Sequence, residues 1–393
     1  MSTAGIHDAI DLKIQSLADG VYYDAPFLKQ YASNSNAIGK RRAYGNSDRL
    51  PADLKSQKVP PEFSVGPFAI AVNYSARGQV RLVCEGNRYL AVTEEGGEYE
   101  VSFTETPRFY NASMSNGQPV QHYATVYGRS TLGFFTPGVC YYFAAGTECH
   151  FCSLKDTRKT LKKDISHFIK PQDVREAIER IAELDPGTFN KVMLNGGNLK
   201  NHDNGFLNHI RIVEEIRETC DRLGLTIHLI TMPPVTTCLI DEAKGLIDKI
   251  VFDPEIYDEA LMHLICQGKA EDFGRAGYER SFLRAIDALG VGKVHAGLIA
   301  GFESIDSLSR GFEYYGAMGV IPAVNIFHPD PGTTLENLVR PTQDFIRAAL
   351  EELTKVYHRV PGATPFLPNS GRNAIDTEAY EAAKYEKRTT EVV

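Results

Sequence analysis

The chain has 393 residues, of which 43% are hydrophobic and 23% are charged, as in globular proteins large enough for one decorated domain or for two domains. Its 42 basic and 50 acidic residues give a net charge of −8, and no basic stripe interleaved with aromatic residues is evident, which argues against a nucleic-acid partner. Residues 1–20 lack the pattern of a secretory signal, and no apolar run approaches the ~20 residues of a membrane span. We therefore expect a cytoplasmic protein with no membrane partner.

Residues 1–125 form the first predicted region. Short helices are expected near residues 6–17 and 26–31, and β-branched and aromatic runs separated by glycine-containing turns follow them. The predicted strands are 68–74, 79–85, 89–93 and 99–103. They indicate an antiparallel meander in a β-rich accessory domain that serves as a scaffold or a substrate lid.

In the second predicted region, residues 126–334, strands and helices alternate, which is typical of parallel βα units. The predicted strands are 131–135, 191–194, 226–231, 249–252, 294–299 and 323–327. The main predicted helices are 171–184, 205–222, 239–246, 278–289 and 307–318, with another ending at 265. Six repeats predict an α/β fold, a partial (β/α)6 TIM-like barrel with its active site at the carboxyl ends of the strands. Residues 335–393 are expected to form a helical extension, with helices at 335–356 and 380–393.

Three of the seven cysteines lie close together after the first predicted barrel strand. Cys140, Cys149 and Cys152 have the spacing C-x8-C-x2-C. Soft thiolate ligands favour iron–sulfur clusters or zinc. Three protein ligands would leave one iron of a [4Fe-4S] cluster open, and an open metal position binds substrate. An odd number of cysteines without framework-like spacing also indicates reduced thiols plus a metal site.

The end of this loop, Cys149-His150-Phe151-Cys152, resembles the cluster loop of radical S-adenosylmethionine (SAM) enzymes, which more often have three residues between the first two cysteines. The resemblance implies a [4Fe-4S] cluster bound by Cys140, Cys149 and Cys152, with Phe151 as a cofactor contact. It also implies that the open iron chelates SAM. A one-electron reductant such as flavodoxin or ferredoxin would supply the electron that reduces the cluster. Reductive cleavage of SAM would then give a carbon radical that acts on a small-molecule substrate.

A glycine pair follows the second predicted strand in the turn Asn195-Gly196-Gly197-Asn198. Glycines let the backbone approach a ligand closely. The turn resembles the family's Gly-Gly-Glu, whose backbone contacts the SAM amino group, with Asn198 in place of the glutamate. An ordinary tight turn is the alternative.

Two carboxylates follow the fourth predicted strand. Asp253 and Glu255 resemble the family segment that binds the ribose hydroxyls or the aminocarboxypropyl end of SAM, since carboxylates accept hydrogen bonds from hydroxyl and ammonium groups. A pair of helix N-cap residues is the alternative. Segment 265–269 (ICQGK) resembles the Ile-Cys-Pro-Gly-Lys of biotin-synthase-like members, with Cys266 expected to be structural.

The fifth predicted strand, GLIAGFE, resembles the family's adenine-binding strand G-x-I-x-G-x-x-E, one residue short of the glutamate spacing. The candidate adenine contacts are Gly297, Ile299, Gly301 and Glu303. After the sixth strand, His328 is a candidate acid, base or substrate contact, or a turn histidine on the rim. Tyr141 and Tyr142 are further candidates, as iron ligands before SAM binds or as packing residues.

Absent motifs narrow the expected reaction. The sequence has no second C-x-x-C and no D-x-H-x-x-G, which disfavours an auxiliary cluster and cobalamin. A transferase or lyase with one cluster and a small metabolite as substrate is therefore expected.

Two alternatives stay open at this point. Cleavage of the other C–S bond of SAM would transfer a 3-amino-3-carboxypropyl group to a soft acceptor such as trivalent arsenic, for which Cys84, Cys238 or Cys266 offer thiols. From a different class, a non-catalytic binding protein could hold zinc with the three clustered cysteines and His150.

Overall fold

The computed structural model describes residues 3–39, 58–160 and 168–391 of the chain. Helix α1 (Thr3–Asp19), the short strand β1 (Val21–Tyr22) and helix α2 (Ala25–Ser33) come first. Asp24 caps α2 by accepting a hydrogen bond from the Phe27 amide at 2.8 Å. The two N-terminal helices expected from the sequence are therefore confirmed.

The N-terminal strands form two sheets rather than one. They are β2 (Glu62–Val65), β3 (Phe68–Ala71), β4 (Val80–Glu85), β5 (Arg88–Val92) and β6 (Glu98–Val101). Strands β4, β5 and β6 form the expected antiparallel meander, with β1 added parallel to β4. The expectation that the strand at 68–74 joins this meander is wrong, because β3 pairs with β2 in a separate hairpin. All residues of β2 and β3 are buried, as in strands covered on both faces, whereas β4 alternates between buried and exposed residues.

A seven-stranded sheet forms the centre of the molecule. Its strands are β7 (Ala124–Tyr127), β8 (Thr131–Phe135), β9 (Lys191–Asn195), β10 (Thr226–Ile230), β11 (Lys249–Glu255), β12 (Val294–Ala300) and β13 (Ile321–Ile326). Strands β8 to β13 are parallel and lie side by side in chain order, and β7 pairs antiparallel with β8. Within the described residues the edge strands β7 and β13 do not pair, so the barrel is incomplete. The predicted α/β fold with six parallel strands is confirmed.

Helices connect the parallel strands, and two more helices follow the last strand. They are α3 (Tyr141–Ala145), α4 (Leu154–Thr160), α5 (Pro171–Leu184), α6 (His202–Leu223), α7 (Glu259–Ile265), α8 (Gln267–Asp272), α9 (Gly274–Leu289), α10 (Ile305–Ala317), α11 (Gln343–Arg359) and α12 (Asp376–Glu391). Asn201 caps α6 through the Asn204 amide, at 2.8 Å, and the left-handed Gly224 ends it. No helix among the described residues has both the length and the apolar composition needed to cross a membrane.

Two helix predictions are wrong. The expected helix at 239–246 is a 3-10 helix, Thr237–Ala243. The expected helix at 335–356 begins only at Gln343, because proline restricts the preceding residue and lacks an amide hydrogen, and Pro341 interrupts the segment. Thr342 then supplies the N-cap.

The segment 364–376, here named the C-terminal strap, lies across the incomplete barrel. Near its end it pairs with β13, where the Ile326 amide donates to the Asn373 carbonyl at 2.8 Å. Near its start the Lys249 ammonium donates to the Thr364 hydroxyl at 2.6 Å. Lys249 is the first residue of β11 and Ile326 is the last residue of β13, so the strap runs from the amino end of β11 to the carboxyl end of β13. The division at residues 125 and 334 stays a prediction.

Candidate functional site

The candidate site is a cavity of about 110 Å³ at the carboxyl ends of the barrel strands. Ten of the predicted site residues line it: Cys140, Tyr142, Cys149, Phe151, Cys152, Gly196, Gly197, Asn198, Asp253 and Glu255. Strand β10 and the residues after it add Ile230, Thr231 and Met232, which no sequence motif indicated. The cavity therefore joins the cysteine loop, the glycine turn and the carboxylate pair.

The glycine turn packs directly on the backbone of the cysteine loop. A Cβ at Gly196 would lie 2.1 Å from the Pro137 carbonyl oxygen, and one at Gly197 would lie 2.0 Å from the Val139 carbonyl oxygen. The Gly197 amide instead donates a hydrogen bond to the Pro137 carbonyl at 3.0 Å. Only glycine fits at these two positions, because the neighbouring atoms are backbone and cannot rotate away.

Segment 265–268 holds the other side of the cysteine loop. The His150 amide donates to the Ile265 carbonyl at 2.9 Å, and the Gly268 amide donates to the Thr147 carbonyl at 3.0 Å. A Cβ at Gly268 would lie 2.4 Å from the ring of Tyr142. The segment that resembles the biotin-synthase-like motif therefore holds the cysteine loop on both sides of Cys149.

The three cysteines line the same cavity and are half-buried. Burial is the largest influence that raises the pKa of Cys140, and it raises the pKa of Cys152 to about 12. For Cys149 the largest influence is a side-chain hydrogen bond with Cys266, followed by burial, and both raise its pKa. These thiols would stay protonated at neutral pH unless a cation bound them as thiolates.

A cluster and a single metal ion place different demands on the arrangement of their ligands. Among the described residues, no group of three or more cysteine, histidine, aspartate or glutamate side chains is arranged to hold a metal ion. One tetrahedral zinc needs its ligands to converge on a point, whereas a cubic cluster takes each thiolate at a different iron. Cys140, Cys149 and Cys152 all line this one cavity.

Asn198 lies beside Cys140, the first of the three clustered cysteines. The Cys140 thiol donates a hydrogen bond to the Asn198 Oδ1 atom at 2.7 Å. The Asn198 backbone is fixed as well, since its carbonyl accepts from the Tyr141 amide at 2.9 Å. The side-chain amide therefore belongs to the surroundings of the cysteine ligand.

Asp253 and Glu255 form the opposite side of the cavity. A register shift separates Phe252 from Glu255 in the pairing of β11 with β12, and Glu255 has a φ of 70°, in the left-handed region that costs most side chains of order 1–3 kcal/mol. The Asp253 Oδ1 atom lies 1.8 Å from where a Cβ at Gly297 would be, so the glycine makes room for the carboxylate. Burial, followed by repulsion from Glu255, raises the pKa of Asp253 to about 7.

Lys269 is a site residue that the sequence reasoning missed. Its ammonium lies 2.5 Å from the Glu255 Oε1 atom and 2.8 Å from the Asp253 carbonyl oxygen. Burial lowers the pKa of Lys269, but attraction to Glu255 and to other nearby acidic groups outweighs burial and raises it well above its usual value. The only signal in the sequence was the position of Lys269 in the ICQGK segment. Nothing in that segment indicates that the lysine reaches the two carboxylates in the folded protein.

The helix-capping alternative for the two carboxylates is wrong. Helix α7 is capped by Asp258, whose side chain accepts from the Leu261 amide at 2.9 Å. Asp253 and Glu255 lie within β11, before this cap. Their carboxylates are therefore available to the cavity.

Seven predicted site residues do not line the cavity: Tyr141, Asn195, Gly297, Ile299, Gly301, Glu303 and His328. Glu303 accepts hydrogen bonds from the Tyr257 and Asp258 amides at 3.0 and 3.2 Å, which fixes the start of α7. His328 contacts Asn373 of the C-terminal strap at 3.0 Å. The proposed ligand contacts of all seven residues stay predictions.

Comparisons with known proteins found likeness in structure only. No protein-family model and no curated protein matches the sequence. Methylornithine synthase is similar at 17% identity with a TM-score of 0.43, over 61% of this chain and 64% of that chain. The FeFe-hydrogenase maturase HydG from Carboxydothermus hydrogenoformans is similar at 15% identity with a TM-score of 0.45, over 60% of this chain and 53% of that chain.

A radical SAM methyltransferase from Sphaerobacter thermophilus is similar over more of its length, at 13% identity with a TM-score of 0.43, over 78% of this chain and 80% of that chain. At sequence identities this low, the comparison describes a likeness in fold and gives no information about the reaction. In fold, the chain resembles solved structures that include a radical SAM enzyme.

Proposed function

We propose that this protein is a radical SAM enzyme that uses one [4Fe-4S] cluster to cleave SAM reductively and acts on a small-molecule substrate. The observation that carries this proposal is the position of Cys140, Cys149 and Cys152 around one cavity at the carboxyl ends of six parallel strands. Active sites of barrels built from parallel βα units lie at this end. Three thiolates from one loop and an open fourth position are the donor set that such a cluster requires.

The residues around the cysteines fit a cluster that also binds a nucleotide cofactor. When bound, the cluster supplies the electron that breaks a carbon–sulfur bond of SAM. The chain's own part is to bind, orient and exclude water. The cavity of about 110 Å³ is smaller than the ~300 Å³ at the lower end of small-molecule sites, so the cofactor also needs the open face at the strand ends.

The carboxylate side of the cavity suits the polar part of SAM. Asp253 and Glu255 can accept hydrogen bonds from ribose hydroxyls or from an ammonium group. Lys269 neutralises part of their charge, which makes two buried carboxylates tolerable beside anionic thiolates. Phe151, stacked on Phe302 with ring centroids 5.7 Å apart, places apolar surface beside the cysteines and helps to keep the site dry.

The proposed function also implies where the substrate binds and what kind of protein reduces the cluster. Because the cavity lies at the carboxyl ends of the strands, the substrate is expected to bind at that end of the barrel. A flavodoxin or a ferredoxin is the expected one-electron donor. Both assignments belong to the proposal.

One specific observation favours a second candidate reaction, the transfer of a 3-amino-3-carboxypropyl group to a soft acceptor. Of the three further thiols considered for this role, Cys266 lies against the cluster ligand Cys149. Cys84 lies in the N-terminal meander, and Cys238 is exposed on a 3-10 helix. Cys266 is therefore the candidate thiol for this reaction.

The deciding experiment is anaerobic purification and cluster reconstitution. We expect a brown protein with close to four irons and four sulfides per chain, whose reduced-cluster EPR spectrum changes when SAM is added. Cys152→Ala should lose most of the iron, while Cys238→Ala, at an exposed cysteine away from the cavity, should retain it. A colourless protein that holds zinc and ignores SAM would refute the proposal.

Product analysis after dithionite reduction separates the two reactions. Formation of 5′-deoxyadenosine supports the carbon-radical enzyme. Formation of methylthioadenosine in its place supports transfer of the aminocarboxypropyl group. In the second case Cys266→Ser should lower the transfer yield without lowering the iron content.

A further inference from the structure

We propose that the side-chain amide of Asn198 donates a hydrogen bond to the Cys140 thiolate in the cluster-loaded protein and thereby raises the reduction potential of the cluster. This inference rests on the proposed function. Asn198 would be a positioning residue, since it acts on the cluster through its ligand Cys140. The role lies in the side chain, and so differs from the backbone contact to SAM that the Gly-Gly-Glu resemblance implies.

The structure confines the Asn198 amide beside the thiol. Asn198 is 5% exposed and lines the cavity, and its Oδ1 atom lies 2.7 Å from the Cys140 sulfur. Its Nδ2 atom is buried and has no hydrogen-bond partner among the residues that the structure describes. Because the Asn198 carbonyl accepts from the Tyr141 amide, the backbone holds this side chain in place. A buried amide donor without a partner is unfavourable, because it has lost its hydrogen bonds to water and gained none in their place.

Cluster binding changes what the Cys140 sulfur needs from this amide, from a hydrogen-bond acceptor to a hydrogen-bond donor. A thiol has a proton to donate, and Oδ1 accepts it here. A thiolate bound to iron has no proton, so a carbonyl oxygen at this distance would set two electron-rich atoms against each other. Rotation of the amide by 180° exchanges Oδ1 and Nδ2 in nearly the same space, which gives both the thiolate and the Nδ2 donor a partner.

The direction of the effect on the cluster follows from charge. Hydrogen bonds to the sulfur ligands are among the determinants of cluster potential. A donor withdraws negative charge from the thiolate, which favours the reduced, more negative state of the cluster. A carboxylate at this position, as in Gly-Gly-Glu, could not donate when ionised and would disfavour reduction. The asparagine therefore specifies a function that glutamate would not provide.

The test is an EPR-monitored redox titration of the reconstituted cluster without SAM. At the wild-type midpoint potential, Asn198→Ala should lower the ratio of reduced to oxidised cluster about tenfold, which is a shift of about 59 mV to more negative potential. Asn198→Asp should shift it at least as far. Asn198→Ser, which keeps a small donor, should recover part of the difference.

Asn201→Ala is the matched control, because Asn201 caps α6 three residues later. Loss of that cap perturbs the same connection without touching Cys140, so the potential should stay at the wild-type value. Unchanged potential in Asn198→Ala with full iron content would overturn the inference. An equal shift in Asn201→Ala would also overturn it, since the effect would then be general loosening of the connection.

A measurement on the wild-type protein covers the case in which the Asn198 variants bind too little cluster. Resonance Raman spectra in H₂O and D₂O should show an iron–cysteine stretching band that shifts on exchange of an N–H···S donor. A spectrum without any shifting band would overturn the inference. Failure of the wild-type protein to take up a cluster at all would instead refute the proposed function, so the two failures are distinguishable.

Discussion

Gly197→Ala tests whether the glycine turn holds the cysteine loop in place. The new Cβ would lie 2.0 Å from the Val139 carbonyl oxygen, 2.5 Å from the Val139 carbonyl carbon and 2.6 Å from the Cys140 Cβ. Ordinary contact begins at 3.4 Å, so the loop or the turn has to move by about 1.4 Å. The neighbours are backbone atoms, and no side-chain rotation can relieve the overlap.

The expected magnitude follows from overpacking. Extra methyl groups in a packed interior usually cost about 1–3 kcal/mol, and we expect a loss near 3 kcal/mol because backbone has to shift. A domain stable by about 5–15 kcal/mol would remain folded after such a loss. Cys140 follows Val139 in the chain and moves with it, so cluster uptake should fall more sharply than stability.

The assay combines urea unfolding of the cluster-free protein with iron analysis after reconstitution. Gly205→Ala is the matched control, because Gly205 lies inside α6 and its new Cβ would approach no atom closer than 3.8 Å. Alanine in a helix interior is more favourable than glycine by about 0.5–1 kcal/mol, so this variant should gain stability and keep its iron. Wild-type stability and full iron content in Gly197→Ala would refute the reasoning.

Three further predictions concern buried charges. The raised pKa of Asp253, about 7, means that the folded protein keeps a proton that the unfolded chain loses above its usual value of 3.8. The free energy of unfolding should therefore fall as pH rises from 4 to 7, and Asp253→Asn should reduce this fall by at most about 4 kcal/mol in urea titrations. Lys269→Met leaves Glu255 buried without its partner and should cost about 3–5 kcal/mol. Lys13→Met should cost a similar amount, because its 2.7 Å salt bridge to Glu378 joins α1 to α12 with both side chains 1% exposed.

Each of these predictions has its own contradicting result. Burial also raises the pKa of Asp376 to about 7, and this contribution is the same in the wild type and in Asp253→Asn. If the free energy of unfolding falls equally steeply with pH in both proteins, the Asp253 prediction is contradicted. For each lysine, the double variant that also neutralises the partner as glutamine should lose less stability than the lysine variant alone. Additive losses would mean that the pair is not coupled.

The parallel strands and the cysteine triplet were predictable because both are local patterns. Strands that are buried on both faces of a sheet give apolar runs in the sequence. The helices between them give the alternation of strand and helix that indicates a parallel sheet. The carboxylate pair was also found, because it follows a predicted strand and resembles the family segment that contacts SAM. Pairing partners were harder to predict, since nothing local indicates that β3 joins β2 and not β4.

Contacts between distant segments could not be read from the sequence. The Glu255–Lys269 pair depends on a register shift just before Glu255, on the left-handed conformation of Glu255 and on the path of the chain through α7 into α8. The Cys140–Asn198 contact spans a complete βα repeat. Residue type alone gave no orientation for the Asn198 amide, and the resemblance directed attention to its backbone.

The weak motifs support one another physically, which explains why their combination indicated more than any one of them. Gly297 belongs to the strand that resembles an adenine contact, yet the space left by its missing Cβ is filled by the Asp253 carboxylate. In the same way, Gly197 admits the backbone of the cysteine loop, and Gly268 admits the ring of Tyr142. Each glycine is thus the complement of a residue in another motif, and a side chain at any of them would displace its neighbour as well as any ligand. Loss of binding in a glycine variant therefore identifies a contact only when the neighbouring group is shown to have stayed in place.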